Sequence, residues 1–217
     1  MKKLLTAALL FSAFAVPGVL VAADAVRFTP PDQSKWNAQQ QEFSKLMSSA
    51  GTRAGGIANA PFKVYFASPE FGVEALRMSN YLRWGTGLDA RLSELAIIIA
   101  GRHWTSDYIW HAHYPLAIKG GLDPSVGADI AAGKRPTKMK EDEAIIYDLL
   151  TEMYRDRDIS DATYARARAK YGEKGIADIQ ALASYYGITA MAIIAARAPT
   201  APGDEPKLER LAQVFPK

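Results

Sequence analysis

Apolar positions recur at three- and four-residue intervals over most of the chain, and the strict alternation of a half-buried strand is nowhere sustained. The spacing predicts a first amphipathic helix over residues 33–50, then a Gly/Ala-rich connector from Thr52 to Pro61. Pro69-Glu70 opens a second helical stretch to about Trp84, closed by Gly85-Thr-Gly87. Asp89 is the expected N-cap of a helix over 90–103, and Thr105 or Ser106 that of a helix to Lys119. Gly120-Gly121 ends it, and Asp123-Pro124 starts the next in cap-then-proline order. Ile145, Ile146, Leu149, Leu150 and Met153 give the period of another helix over 139–156. With neither internal repeats nor a dividing linker, the pattern predicts one all-α domain.

Two stretches break the amphipathic rule. Residues 176–198 are rich in Ala, Gly and Ile, with Asp178 as the only acidic residue. A helix apolar nearly all round belongs in a core or between subunits; Gln180, Ser184, Tyr185, Tyr186 and Thr189 argue against a membrane span. At the N-terminus, Lys2-Lys3 precede an apolar run from Leu4 to Val16, followed by Pro17-Gly18 and the small residues Val21-Ala22-Ala23. That order predicts a cleaved export signal over 1–23, and a periplasmic or secreted protein with no stable membrane span after cleavage. The expected organisation is then a signal (1–23), an N-terminal helical extension (24–60), a helical domain (61–199) and a C-terminal tail (200–217).

Charge and cysteine content narrow the chemistry. Removing Lys2 and Lys3 lowers the basic residues from 26 to 24 against 23 acidic ones, so the formal net charge of +3 falls to +1. Lys134-Arg135-Pro-Thr-Lys138 is the only basic cluster in the remainder, which gives no case for a nucleic-acid partner. There is no cysteine, so redox cycling through a dithiol is excluded.

All three histidines fall within eleven residues, Gly101-Arg-His-Trp-Thr-Ser-Asp-Tyr-Ile-Trp-His-Ala-His-Tyr-Pro115. On a helix His111 and His113 lie about 200° apart, so they cannot chelate one metal together. No metal and no cofactor is expected. Ser106, Ile109, Trp110 and His113 share one face, and Pro115 is expected to bend the helix just after His113. Glu94 precedes the wholly apolar Leu95–Ala100, so its carboxylate needs a partner: Arg91, Arg102 or a histidine. Tyr81, Trp84, Trp104, Trp110, Tyr185 and Tyr186 are candidates for an aromatic pocket.

Arg91-Leu-Ser-Glu94-Leu-Ala-Ile-Ile-Ile-Ala100, Tyr108-Ile-Trp110-His-Ala-His113, Ala117-Ile-Lys-Gly-Gly-Leu122, Tyr171-Gly-Glu-Lys-Gly-Ile and Tyr185-Tyr186 follow in a fixed order. On these segments the chain from about Pro61 to Pro199 resembles the carboxymuconolactone decarboxylase / alkylhydroperoxidase D-like family. The resemblance implies an all-α, alkylhydroperoxidase D-like helical bundle assembled as a homotrimer or homohexamer, with sites near subunit contacts. Peroxidase members carry a Glu, a Cys-x-x-Cys twelve residues on, and a His four beyond the second Cys. The matching positions are Glu94, Ser106, Ile109 and His113, so both thiols are missing and peroxidase activity is not carried over. Decarboxylase-type members often have Glu where this chain has Ile109.

The expected function is a cofactor-independent lyase or isomerase acting on a small carboxylated unsaturated or aromatic-derived compound. His113 would be the general acid/base, its ordinary pKa near 6.5 suiting proton transfer at neutral pH, and Glu94 would orient it. Arg83 or Arg102 would hold a substrate carboxylate, with Trp110, Tyr108, His111, Ser106 and Trp84 completing the binding set. The alternative is a non-catalytic periplasmic small-molecule-binding protein of the same fold. A third reading is a structural oligomer without a ligand.

Overall fold

The computed structural model describes residues 27–49, 56–199, 208–212 and 214–215, so the signal expected over 1–23 and much of the connector after Thr52 lie outside the described residues. Among the described residues there are eight α-helices and no strand. These are α1 (Ala38–Ser49), α2 (Phe62–Ala67), α3 (Pro69–Asn80), α4 (Ala90–His103), α5 (Asp107–Lys119), α6 (Pro124–Ala131), α7 (Glu141–Asp156) and α8 (Asp161–Ala196).

The helix starts follow local capping chemistry. Asp89 accepts from the Leu92 amide ahead of α4, Ser106 from Ile109 ahead of α5, and Asp123 from Ser125 ahead of α6, where Pro124 fills the first helical position. The first helix begins later than the 33–50 pattern suggests. A 3-10 turn occupies Gln33–Lys35, and α1 starts only after Asn37 and Gln40 exchange side-chain bonds with each other's amides (2.8 and 3.0 Å). Residues 62–67, which the pattern leaves unassigned between the connector and Pro69, form α2, a short helix between Pro61 and Ser68.

Two irregularities matter for the site. After α3, residues Tyr81–Gly85 widen into a π-helical segment, a form frequent at functional sites. Within α8, Gly172 adopts φ 67° and ψ 175°, which breaks the helix into two pieces. Pro115 leaves α5 continuous from Asp107 to Lys119, so the expected bend does not end the helix.

The core is organised around α4, which packs against α5, α6, α7 and α8. Ile97, Ile98 and Ile99 are all fully buried, which for three successive residues means cover on every side. The apolar half of α8 lies against α4, yet Met191 and Ile194 near its end remain 60% exposed. The C-terminal segment adds a layer of its own. Leu208 and Phe215 are buried, the Leu208 amide donates to Asp107, and Phe215 stacks parallel to the His103 and Tyr154 rings.

Candidate functional site

Where α4 crosses α5, Glu94 and His113 meet. Both are buried, and His113 Nδ1 lies 2.6 Å from Glu94 Oε2. The π segment brings a third group, with Arg83 Nη2 donating to Glu94 Oε1 at 3.0 Å. Glu94 therefore has both oxygens engaged by different partners, neither of them Arg91 or Arg102. Arg91 instead pairs with Asp142 and Glu143 on α7.

The electrostatics fix the proton's place. Burial alone would push the Glu94 pKa up, but the His113 hydrogen bond and the Arg83 charge outweigh it and hold the carboxyl below its ordinary range. Burial pulls the His113 pKa down, and the Glu94 contact only partly opposes that. The pair at neutral pH is a carboxylate and a neutral imidazole. An ionised carboxylate can only accept, so Nδ1 carries the hydrogen and Nε2 keeps its lone pair.

His113 lines a cavity of about 280 Å³. Its polar lining includes Arg83, Ser79, Thr189 and the three tyrosines Tyr108, Tyr185 and Tyr186; its apolar lining is Pro61, Phe62, Ile109, Ala112 and Leu116. Tyr186 presents its ring edge-on to the His113 imidazole, with centroids 4.9 Å apart. Deeper in, Tyr65 OH and Thr189 Oγ1 are 3.2 Å apart, and burial pushes the Tyr65 pKa far above a phenol's. Such a chamber can hold a small organic molecule against a base whose lone pair has no protein partner among the described residues.

Of the residues singled out from sequence, Glu94, His113, Arg83, Tyr108, Ile109, Tyr185 and Tyr186 converge here. The others do not. Arg102 is fully buried at the far end of α4, where Nη2 donates to the Glu209 carbonyl at 2.6 Å, so it cannot hold a substrate in the cavity. Its direction is set by the C-terminal segment, which covers that end of the helix. Trp110 stacks on Tyr114 (5.4 Å) and is core. His111 does not line the cavity, as its 200° separation from His113 requires, and its Nε2 is buried without a partner among the described residues. Ser106 caps α5 and borders a separate hollow with Trp104 and Arg197. Trp84 is 54% exposed and stacks under the Arg83 guanidinium at 4.7 Å, outside the cavity. Tyr81 also lies outside it, bonded to Asp178 and Lys174.

Sequence reading passed over Asn59, Phe62, Ser79, Ala112, Leu116 and Thr189. A signal existed for part of this set. Ile109, Ala112, His113 and Leu116 stand at i, i+3, i+4 and i+7, a face of α5 adjacent to the Ser106–Trp110 face, and Thr189 follows Tyr185 by one turn of α8. Nothing local marks Asn59, Phe62 or Ser79. Compared with protein-family models, with curated proteins and with solved structures, the chain finds no match in any of the three.

Proposed function

We propose that the chain is a cofactor-independent lyase or isomerase that moves a proton at carbon in a small carboxylated unsaturated or aromatic-derived compound. One observation carries the reading: a buried carboxylate–imidazole pair at 2.6 Å, with the imidazole lining a cavity. His113 Nε2 takes a proton from a carbon made acidic by an adjacent carbonyl, and Glu94 stabilises the imidazolium that forms. Returning the proton to a different carbon is isomerisation. Supplying a proton to the carbanion left by loss of carbon dioxide is decarboxylation. Arg83 binds the substrate carboxylate through N–H groups that Glu94 does not occupy.

The order of Glu94 on α4, Ser106 and Ile109 at the start of α5, and His113 one turn on supports an alkylhydroperoxidase D-like bundle within the all-α class. Serine and isoleucine at the thiol positions support a redirection from peroxide chemistry to acid–base chemistry. The export signal expected over 1–23 supports a site of action outside the inner membrane.

An ultraviolet turnover screen tests this. The protein is run against carboxylated lactones, muconates and phenolic acids beside His113→Ala, with circular dichroism to check the variant's fold. The expected result is a spectral change with the wild type alone, and product mass then separates decarboxylation from isomerisation. Equal rates in both proteins would remove His113 from the mechanism. Saturable binding without turnover would favour a non-catalytic periplasmic binding protein.

A further inference from the structure

The charges around the cavity narrow the kind of acid it admits. Among the described lining residues Arg83 carries the one fixed charge, since burial keeps His113 neutral. That charge is already half committed. Nη2 donates to Glu94, while Nε and Nη1 meet no protein acceptor among the described residues. A guanidinium in this state can take one carboxylate on its open N–H groups, and the adjacent Glu94 leaves no surplus positive charge for another.

The remaining lining carries no second positive charge to balance a second anion. Phe62, Ile109, Ala112 and Leu116 are hydrocarbon surfaces, against which a stripped carboxylate would have no donor. Asn59, Ser79, Tyr108, Tyr185, Tyr186 and Thr189 are uncharged polar groups, which can hydrogen-bond an oxygen without neutralising a second charge. The volume of about 280 Å³ equals that of roughly nine waters at about 30 Å³ each, the size of a single substituted ring.

We propose that this site is selective for a monocarboxylate with an uncharged, ring-sized body, and that it rejects dicarboxylates of the same shape. The inference rests on the reading of this cavity as the ligand site and deepens it by fixing the ligand's charge. Selectivity of this kind arises from the cost of leaving the second charge unpaired, more than from contacts to the first.

The test is titration calorimetry on the full chain at pH 7.5 with three probes of one skeleton: 4-(hydroxymethyl)benzoate, terephthalate and benzene-1,4-dimethanol. They share a ring and two substituents and differ in carrying one, two or no charges. The monocarboxylate is expected to bind about tenfold or more tighter than either relative. Arg83→Gln is expected to bring the monocarboxylate and the neutral diol level, whereas Arg83→Lys, which keeps the charge, retains part of the preference. Terephthalate binding as well as the monocarboxylate would overturn the proposal, as would its undiminished binding to Arg83→Gln, or no binding of the monocarboxylate. Failures of the two readings are distinguishable. Turnover of dicarboxylates sinks the charge selectivity and leaves acid–base catalysis standing; monocarboxylate selectivity that survives in His113→Ala, without turnover by the wild type, does the reverse.

Discussion

Because Glu94 holds the hydrogen on Nδ1, the His113 ring exchanges protons with a ligand through Nε2 alone. Two predictions follow from that geometry. Glu94→Gln should lower kcat by about 10²–10⁴-fold, because an amide neither fixes the tautomer nor stabilises the imidazolium. Measured as kcat/KM, the acid limb of the pH profile should lie below the ordinary imidazole value, since burial depresses the His113 pKa. Stability should move in the same sense. Folded His113 and folded Glu94 both release their protons more readily than they do in the unfolded chain, so the unfolded chain binds more protons in acid. The contribution is complete above about pH 6.5 and is lost as pH falls, first through the imidazole window and then through the carboxylate range. Urea midpoints at pH 7.5, 6 and 4 should decline in that order, with His113→Gln flattening the first fall. At this scale the sequence made Glu94 and His113 legible, because their residue types and spacing carry meaning on their own. It misplaced Arg102, whose orientation depends on Glu209, 107 residues away. No local pattern encodes such a contact.

The helices transmit these positions through close approach. A Cβ added at Gly101 on α4 would lie 2.8 Å from Ile109 Cγ2 on α5, and Ile109 is part of the cavity wall. Gly101→Ala should therefore push α5 away, costing about 1–3 kcal/mol in urea denaturation and reducing activity through the displaced His113. Gly172 offers the opposite case. A Cβ there would meet nothing within 4 Å, yet φ 67° with ψ 175° is a conformation that only glycine adopts readily. Gly172→Ala should cost about 1–3 kcal/mol through backbone strain alone, read by the same denaturation experiment, with the cavity unaltered. Capping chemistry made the starts of α4, α5 and α6 legible, because a cap is a contact between near neighbours, and the apolar period placed α7 within two residues. The π segment was not legible as such: Tyr81–Gly85 is fixed by bonds from Tyr81 to Asp178 and from Arg83 to Glu94, both tertiary.

Across the whole molecule, apolar exposure is uneven. The helix Asp161–Ala196 is long and apolar enough to cross a membrane by composition, and 56% of that window is buried inside the protein. What remains outside includes Met191 and Ile194, with Phe71, Met78 and Trp84 exposed on α3 and the π segment. Single exposed apolar side chains are ordinary, but two 60% exposed ones near the end of the most apolar helix are costly in water. Self-association through this end of α8 is our proposal, in keeping with the trimer or hexamer that the family resemblance implies. Light scattering during gel filtration should give a mass at least twice the monomer's, and Met191→Glu should reduce it; a monomeric wild type would count against the idea. The oligomer number was not legible, since a stripe of small apolar residues serves an inner core and a subunit contact alike.

The boundary drawn at residue 199 from the extent of the family resemblance has a practical cost. A recombinant piece stopped there would leave Tyr154 and His103 without the Phe215 ring, and Arg102 without the Glu209 carbonyl, its only hydrogen-bond acceptor among the described residues. The same truncation removes Leu208 and Phe215, which opens the apolar surface they bury against to water. The shortest fragment worth expressing for crystallisation or deuterium exchange runs through Phe215, and a purification tag there needs a spacer long enough to leave that ring in its slot.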